Sequence, residues 1–268
     1  MKIRIQSSNW APMVALTCLL ASLLIVACRT VPETGRKQLN FLNPAEEAAM
    51  GLSEFRKIKK EKPISQNPEM NAIAQRVGQR LARVMPIQNA EWEFVVFEDS
   101  TPNAFALPGG KVGIHSGLFQ ITKNEAGLAA VVGHEVAHVV ARHAGERLSQ
   151  NAVAGVVAAG AGYALGDNTR ERAIASAALG GGTVLATRAF SRKQELEADK
   201  MGALYMARAG YDPRESVGLW QRFGQWRAES GGANTPVFLS THPLDERRIA
   251  ELQAFMPQAM AEYSGGNG

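Results

Sequence analysis

The sequence predicts an α+β fold, predominantly helical, with a small β-sheet beside a buried helix. Three observations predict it. Helix-starting signals and apolar residues at helical spacing recur over residues 43–60, 67–84, 124–148, 191–209 and 211–227. β-Rich runs are confined to residues 92–97, 103–107 and 111–115. Inside an apolar run, His134-Glu135-Val136-Ala137-His138 places two imidazoles and a carboxyl where burial is costly unless something pairs with them. The 268 residues are 46% apolar and 20% charged, ordinary for a globular chain.

The chain opens with an address. Lys2 and Arg4 make a positive start, and residues 13–27 form an apolar run the length of a signal-peptide core, short for a bilayer span. The run ends in Ile25-Val26-Ala27-Cys28, similar to a bacterial lipoprotein cleavage box. Residues 1–27 are therefore expected to be a lipoprotein signal peptide. Cys28 is the expected lipidation site and anchors the chain to a membrane, since several acyl chains on one residue hold stably. A plain signal peptide followed by an incidental Cys is the alternative. Cys18 falls in the removed segment, so no disulfide framework is expected. Arg29 after the Cys resembles an outer-membrane destination. About 240 residues remain after removal, enough for one sizeable domain or two small ones. Half of the net charge of +4 comes from Lys2 and Arg4, so charge gives no reason to expect nucleic acid as a partner.

Residues 28–40 hold Pro32 and Gly35 and read as a polar tether, followed by a single domain at 41–263 and a disordered tail at 264–268. Asn43-Pro44 starts a helix with Glu46 and Glu47 at its positive end, and Asn67-Pro68 starts another whose apolar positions are Ile73, Val77, Leu81 and Val84. Pro108-Gly109-Gly110 turns the second β run into the third. The segment Asn103, Ala104, Phe105 and Ala106 is a candidate to pair with an extended substrate backbone, with ordinary sheet structure as the alternative. His115 reads as structural.

Thr122 or Asn124 can cap the helix that follows, which is expected to run to about residue 148. At 3.6 residues per turn, His134 and His138 lie one turn apart and about 40° off one line, so both can bind one metal ion. Glu135 can reach a water on that ion without ligating it. Zinc suits this donor set, with an open position for water. His143 lies five residues after His138, about 140° round a continuous helix, and cannot share the ligand face. The Ala- and Gly-rich stretches 152–165 and 173–186 are too short to span a membrane comfortably and read as close-packed or mobile helices.

In Ser191-Arg-Lys-Gln-Glu195-Leu-Glu197-Ala-Asp199, Glu195 and Asp199 share a helix face. Glu195 completes a three-ligand set with His134 and His138, and Asp199 can accept from the non-ligating nitrogen of a zinc histidine. Glu197 points elsewhere and is the weaker candidate.

The pairing of His134-Glu-Val-Ala-His138-Val-Val-Ala-Arg-His143 with the 191–199 segment resembles the HtpX and CAAX prenyl protease family of zinc metallopeptidases, of gluzincin type. Thr34-Gly35-Arg36, Asn103-Ala-Phe-Ala-Leu-Pro-Gly-Gly110 and Ser240-Thr-His242-Pro243 resemble its periplasmic lipoprotein branch. Likeness covers residues 34–255. It implies a zincin-type core with one Zn2+ per chain on His134, His138 and Glu195, and Glu135 as catalytic base. By the same resemblance His242 borders the cleft, stabilising the oxyanion or sitting on the metal at rest, and Arg248 holds the segment or a substrate carbonyl. The implied activity is endoproteolysis of misfolded or unassembled cell-envelope proteins, from an outer membrane facing the periplasm and beside outer-membrane assembly machinery. A zinc-containing chaperone or assembly-factor lipoprotein is the alternative.

Overall fold

The computed structural model describes residues 28–165, 190–229 and 237–265. The signal segment, the stretch at 173–186, the loop at 230–236 and the end of the tail lie outside these residues.

Residues 28–40, expected as a tether, form a docked hairpin. β1 (Cys28–Thr30) pairs antiparallel with β2 (Lys37–Leu39), Cys28 opposite Leu39. Gly35 takes φ 67 in the turn between them, a conformation glycine adopts without a Cβ clash. Val31, Gln38 and Asn40 are buried. Polarity misleads here because Arg36 is satisfied by the buried carboxylates of Glu146 and Glu197, each at 2.7 Å, and not by water.

α1 (Pro44–Glu61) begins with a capping box. Asn43 accepts from the Glu46 N–H, and the Glu46 carboxylate accepts from the Asn43 N–H. α2 (Pro68–Ala82) starts on Asn67 and buries Ala74, Val77 and Leu81. In the sheet, β5 (Lys111–His115) lies between β3 (Glu93–Phe97), parallel to it, and β4 (Ala104–Leu107), antiparallel. Gly109 and Gly110, at φ 88 and 85, make the turn from β4 to β5. β4 is thus an edge strand. The His115 N–H donates to the Asn103 carbonyl at 2.9 Å. Alternation along the pair then turns the backbone groups of Ala104 and Ala106 away from β5.

After a short helix α3 (Phe119–Thr122), α4 (Glu125–Val140) is buried on nearly every side, with Asn124 as its cap. Expected to continue to about residue 148, it stops at Val140. Arg142 takes φ 56, and the chain restarts as α5 (His143–Leu165), which contains the 152–165 stretch. The break is held from α1: Arg142 Nε donates to Glu47 at 2.7 Å and its Nη2 to the Leu42 carbonyl at 2.6 Å.

α6 (Arg192–Arg208) starts on a Ser191–Gln194 capping box and packs along α4. The helices cross so closely that a Cβ on Gly202 would stand 2.9 Å from the His134 backbone nitrogen. α7 (Glu215–Glu229), α8 (Val237–Thr241) and α9 (Glu246–Gly265) close the fold; α9 enters the expected tail by two residues. No helix among the described residues is long and apolar enough to cross a membrane.

Candidate metal centre

α4 and α6 bring the predicted donors together. His134, His138, Glu195 and His242 each offer one ligand atom, all within 4.8 Å of one another, and all four residues are buried. His134 Nε2 lies 3.2 Å from both His138 Nε2 and His242 Nδ1, and 3.4 Å from Glu195 Oε2. Glu195 Oε1 lies 3.5 Å from His138 Nε2 and 3.0 Å from His242 Nδ1.

These spacings suit a tetrahedral ion. Bonds of about 2.0–2.1 Å give a tetrahedron with edges of about 3.3–3.4 Å. Charge agrees in sign: the buried carboxylates of Glu195 and Asp199 outnumber the single guanidinium of Arg248, so the pocket favours a cation. The donor set of neutral imidazoles and one carboxylate is that of zinc.

Each predicted residue has a definite place. Asp199 Oδ1 lies 3.0 Å from His134 Nδ1, behind the ligand face. Fully buried Arg248 forks onto Asp199 at 2.8 and 2.9 Å, reaches Glu195 Oε2 at 2.9 Å and donates to the Pro243 carbonyl at 2.9 Å. Glu135 Oε1 stands 3.2 Å from His242 Nε2, outside the donor set. Asn103, Ala104, Phe105 and Ala106 line a cavity of about 360 Å³ together with Glu135, His138 and His242. His115 sits at the rim, 3.2 Å from the Thr101 carbonyl and 3.3 Å from Asp99, away from the donors. Cys28 is exposed at the start of β1.

Protonation follows the surroundings. Burial pulls the His134 imidazole down, but Asp199 and Glu195 outweigh it and lift it to about 9. Burial drives His138 well below its ordinary value. It also raises Glu135, against the pull of His242 and His134. For Glu195 burial acts upward, yet the facing histidines hold the carboxyl well below its usual range.

Two residues set aside by spacing belong to the centre. His143 Nδ1 lies 2.8 Å from His138 Nδ1, and its Nε2 lies 2.9 Å from Glu197. The break at Arg142 removes the continuous-helix geometry that set His143 apart. Phe190, directly before the Ser191 cap, stacks on the His138 ring at 3.8 Å between centroids, and no sequence pattern marked it.

A buried tetrahedral donor set with a carboxyl poised beside it is built for metal-assisted hydrolysis, as in zinc metallopeptidases. Residues 68–256 match peptidase family M48. The chain belongs to that family, and with it to the zinc-dependent metalloproteases, which are hydrolases. It is 32% identical over 235 residues to the mitochondrial metalloendopeptidase OMA1 of Schizosaccharomyces pombe, covering 87% of this chain and 67% of that protein. Against OMA1 of Saccharomyces cerevisiae it is 38% identical over 181 residues, 66% of this chain and 50% of that protein. Against the putative beta-barrel assembly-enhancing protease of Vibrio cholerae it is 31% identical over 232 residues, 82% of this chain and 46% of that protein. The chain thus spans about half to two thirds of the length of these relatives.

Proposed function

We propose that the chain is a zinc endopeptidase of the bacterial cell envelope, acting on misfolded or unassembled envelope proteins. His134, His138 and Glu195 hold the ion, and Glu135 is the general base. One observation carries this reading: a buried carboxyl stands beside the donor set without joining it. A purely structural site has no use for that group.

Zinc, when bound, supplies a Lewis acid that polarises the scissile carbonyl and lowers the pKa of water towards 7. Glu135 takes the proton of the attacking water and later hands it to the leaving amine, a role its place beside the donor set favours. Asp199 fixes the His134 ring, and Arg248 fixes Asp199 and Glu195. His242 Nδ1 sits within the donor set, so the geometry favours a resting ligand over an oxyanion donor in this state. Were His242 to leave the donor set, its Nε2 contact with Glu135 would be released with it, freeing the carboxyl to act as base. The outward backbone groups of Ala104 and the Ala106 carbonyl pair with an extended substrate strand, Asn103 and Phe105 flanking them, while the Ala106 N–H donates to the Glu135 carboxylate.

The Ile25-Val26-Ala27-Cys28 box supports a lipid anchor on Cys28, removal of residues 1–27, and attachment to the outer membrane facing the periplasm. Thr34-Gly35-Arg36 and Ser240-Thr-His242-Pro243 support the lipoprotein branch of the family. A relative named for beta-barrel assembly supports outer-membrane assembly machinery as the setting.

Glu135→Gln separates this from a zinc-holding chaperone. The variant is expected to keep one zinc per chain and to lose cleavage of unfolded casein. Retained cleavage by that variant refutes the base assignment; a wild type with zinc and no chelator-sensitive cleavage favours the chaperone.

A further inference from the structure

Behind His138, on the side away from the cavity, lies a chain of polar contacts that ends in the N-terminal hairpin. Glu197 accepts from His143 Nε2 at 2.9 Å, from Arg36 Nε at 2.7 Å and from the Thr34 hydroxyl. The remaining nitrogens of Arg36 fork onto Glu146 of α5 at 2.7 and 2.9 Å. Glu146 also accepts from Gln194 of α6 at 2.8 Å, so Arg36 is wedged between α5 and α6. Gln38, two residues on, donates to the Ala141 carbonyl at 2.8 Å, where α4 ends. His143, Glu146 and Glu197 are buried and Arg36 nearly so, while Thr34 closes the chain at the surface.

Proton positions along this chain are fixed by what each atom can do. A His138 that gives its Nε2 lone pair to a metal carries its hydrogen on Nδ1. That hydrogen points at His143 Nδ1, 2.8 Å away, which must present a lone pair. His143 therefore carries its hydrogen on Nε2, facing the Glu197 carboxylate, which only accepts. Turning the His143 ring or moving Glu197 would let His143 donate to His138. The hydrogen of His138 would then sit on Nε2, the nitrogen the metal needs. His134 has a shorter arrangement, with Asp199 directly on its Nδ1.

We propose that Arg36, Glu197 and His143 are positioning residues for the metal, a relay through which the N-terminal hairpin selects the ligating tautomer of His138. Residues 28–40 are then a working part of the centre, and the hairpin that begins at Cys28 reaches the metal through three side chains. The inference rests on His134, His138 and Glu195 being the zinc ligands.

The test uses the purified protein with its five histidines labelled with nitrogen-15. In the zinc-loaded wild type, His138 is expected to carry its proton on Nδ1 and His143 on Nε2; a proton on His143 Nδ1 overturns the relay with no variant needed. Zinc dissociation constants, measured by chelator competition, are expected to rise about 10–100-fold in His143→Ala and Glu197→Gln, and about 10-fold in Arg36→Ala. Arg36→Ala combined with His143→Ala is expected to cost no more than His143→Ala alone, because both break one path. Arg208→Ala is the control: it removes the contact to Glu33 at 2.8 Å, which holds the same hairpin outside the relay. That variant is expected to melt lower and to bind zinc within about twofold of wild type. Zinc affinity that follows melting temperature across all four variants, Arg208→Ala included, overturns the proposal and leaves the hairpin a structural brace. A wild type that binds no zinc, or a Glu195→Ala variant that binds it fully, overturns the ligand assignment beneath it. A wild type that binds one zinc while the relay variants match it overturns the relay alone.

Discussion

Replacing Arg248 with Met should unfold the metal-free protein more readily than any other single change at the centre. The guanidinium is fully buried and makes two bonds to Asp199, one to Glu195 and one to the Pro243 carbonyl. Methionine keeps the apolar stem against Trp220, whose ring lies 4.2 Å from the guanidinium carbon. What is lost is the positive charge between two buried carboxylates. Breaking a buried pair by removing one partner costs about 3–5 kcal/mol. At about 2–4 °C per kcal/mol for a chain of this size, the melting temperature should fall by about 6–20 °C. The assay is thermal unfolding after exhaustive chelation, so that zinc affinity does not enter. Asp199→Asn should cost less in the Arg248→Met background than in wild type, by about 1–3 kcal/mol, because the stranded charge goes with it. An Arg248→Met protein melting within about 2 °C of wild type, or strictly additive losses in the double variant, would refute the reasoning.

Gly202→Ala should push α6 off α4, since the new Cβ meets the His134 backbone nitrogen at 2.9 Å. A loss of about 1–3 kcal/mol with weaker zinc retention is expected by calorimetry and metal analysis. Gly224→Ala on α7, whose Cβ would meet, among the described residues, a Leu244 methyl at 3.5 Å, should melt no lower than wild type. Asp99 gives a pH prediction: burial acts to raise its carboxyl, but the Lys62 ammonium and the Thr101 N–H outweigh burial and hold it at about 2, below the ordinary 3.8. A depressed carboxyl stabilises the fold above the ordinary value and ceases to do so as pH falls through about 2. The Lys62 share of that contribution, about 1 kcal/mol for so exposed a pair, should be missing in Lys62→Met when urea unfolding is compared at pH 6, the Thr101 share remaining. Adding zinc at a hundredfold excess over its dissociation constant should stabilise the chelated protein by about 2.7 kcal/mol, and Glu195→Ala should abolish the gain in the same titration.

Much of the centre was legible because local rules carry it. His134 and His138 are one turn apart on any continuous helix, and α4 is continuous where they sit. Asn43-Pro44, Asn67-Pro68 and Asn124 announced helix starts by the chemistry of their own side chains, and each Asn is a cap in the structure. Glu195 and Asp199 share a face by the same arithmetic. The rest was hidden where a local rule is broken by a distant contact. Arg142 is not a glycine, yet it takes a left-handed conformation that only its bonds to Glu47 and Leu42 make worthwhile. No pattern within residues 124–148 signals that break, so His143 was placed by the geometry of a helix that ends before it. The polar composition of residues 28–40 is equally true of a solvated tether and of an arm whose charges meet buried partners 110 and 161 positions away.

The kink between α4 and α5 also explains how α6 serves the metal from two sides. Successive residues on a helix turn by about 100°, so Glu195 and Asp199 face one way and Glu197, about 200° on, faces nearly the opposite way. Against one straight helix, Glu197 would be wasted. Because the chain bends at Arg142, α6 meets α4 with one face and the start of α5 with the other. Glu195 then reaches the donors directly, Asp199 stands behind His134, and Glu197 stands behind His138 by way of His143. Releasing the bend, by loss of the Glu47 carboxylate that holds Arg142, should therefore disturb His138 while leaving the His134–Asp199 contact intact. The nitrogen-15 tautomer signals of the two rings, read side by side in the zinc-loaded Glu47→Ala protein, distinguish that outcome from a general loosening, in which both signals broaden together.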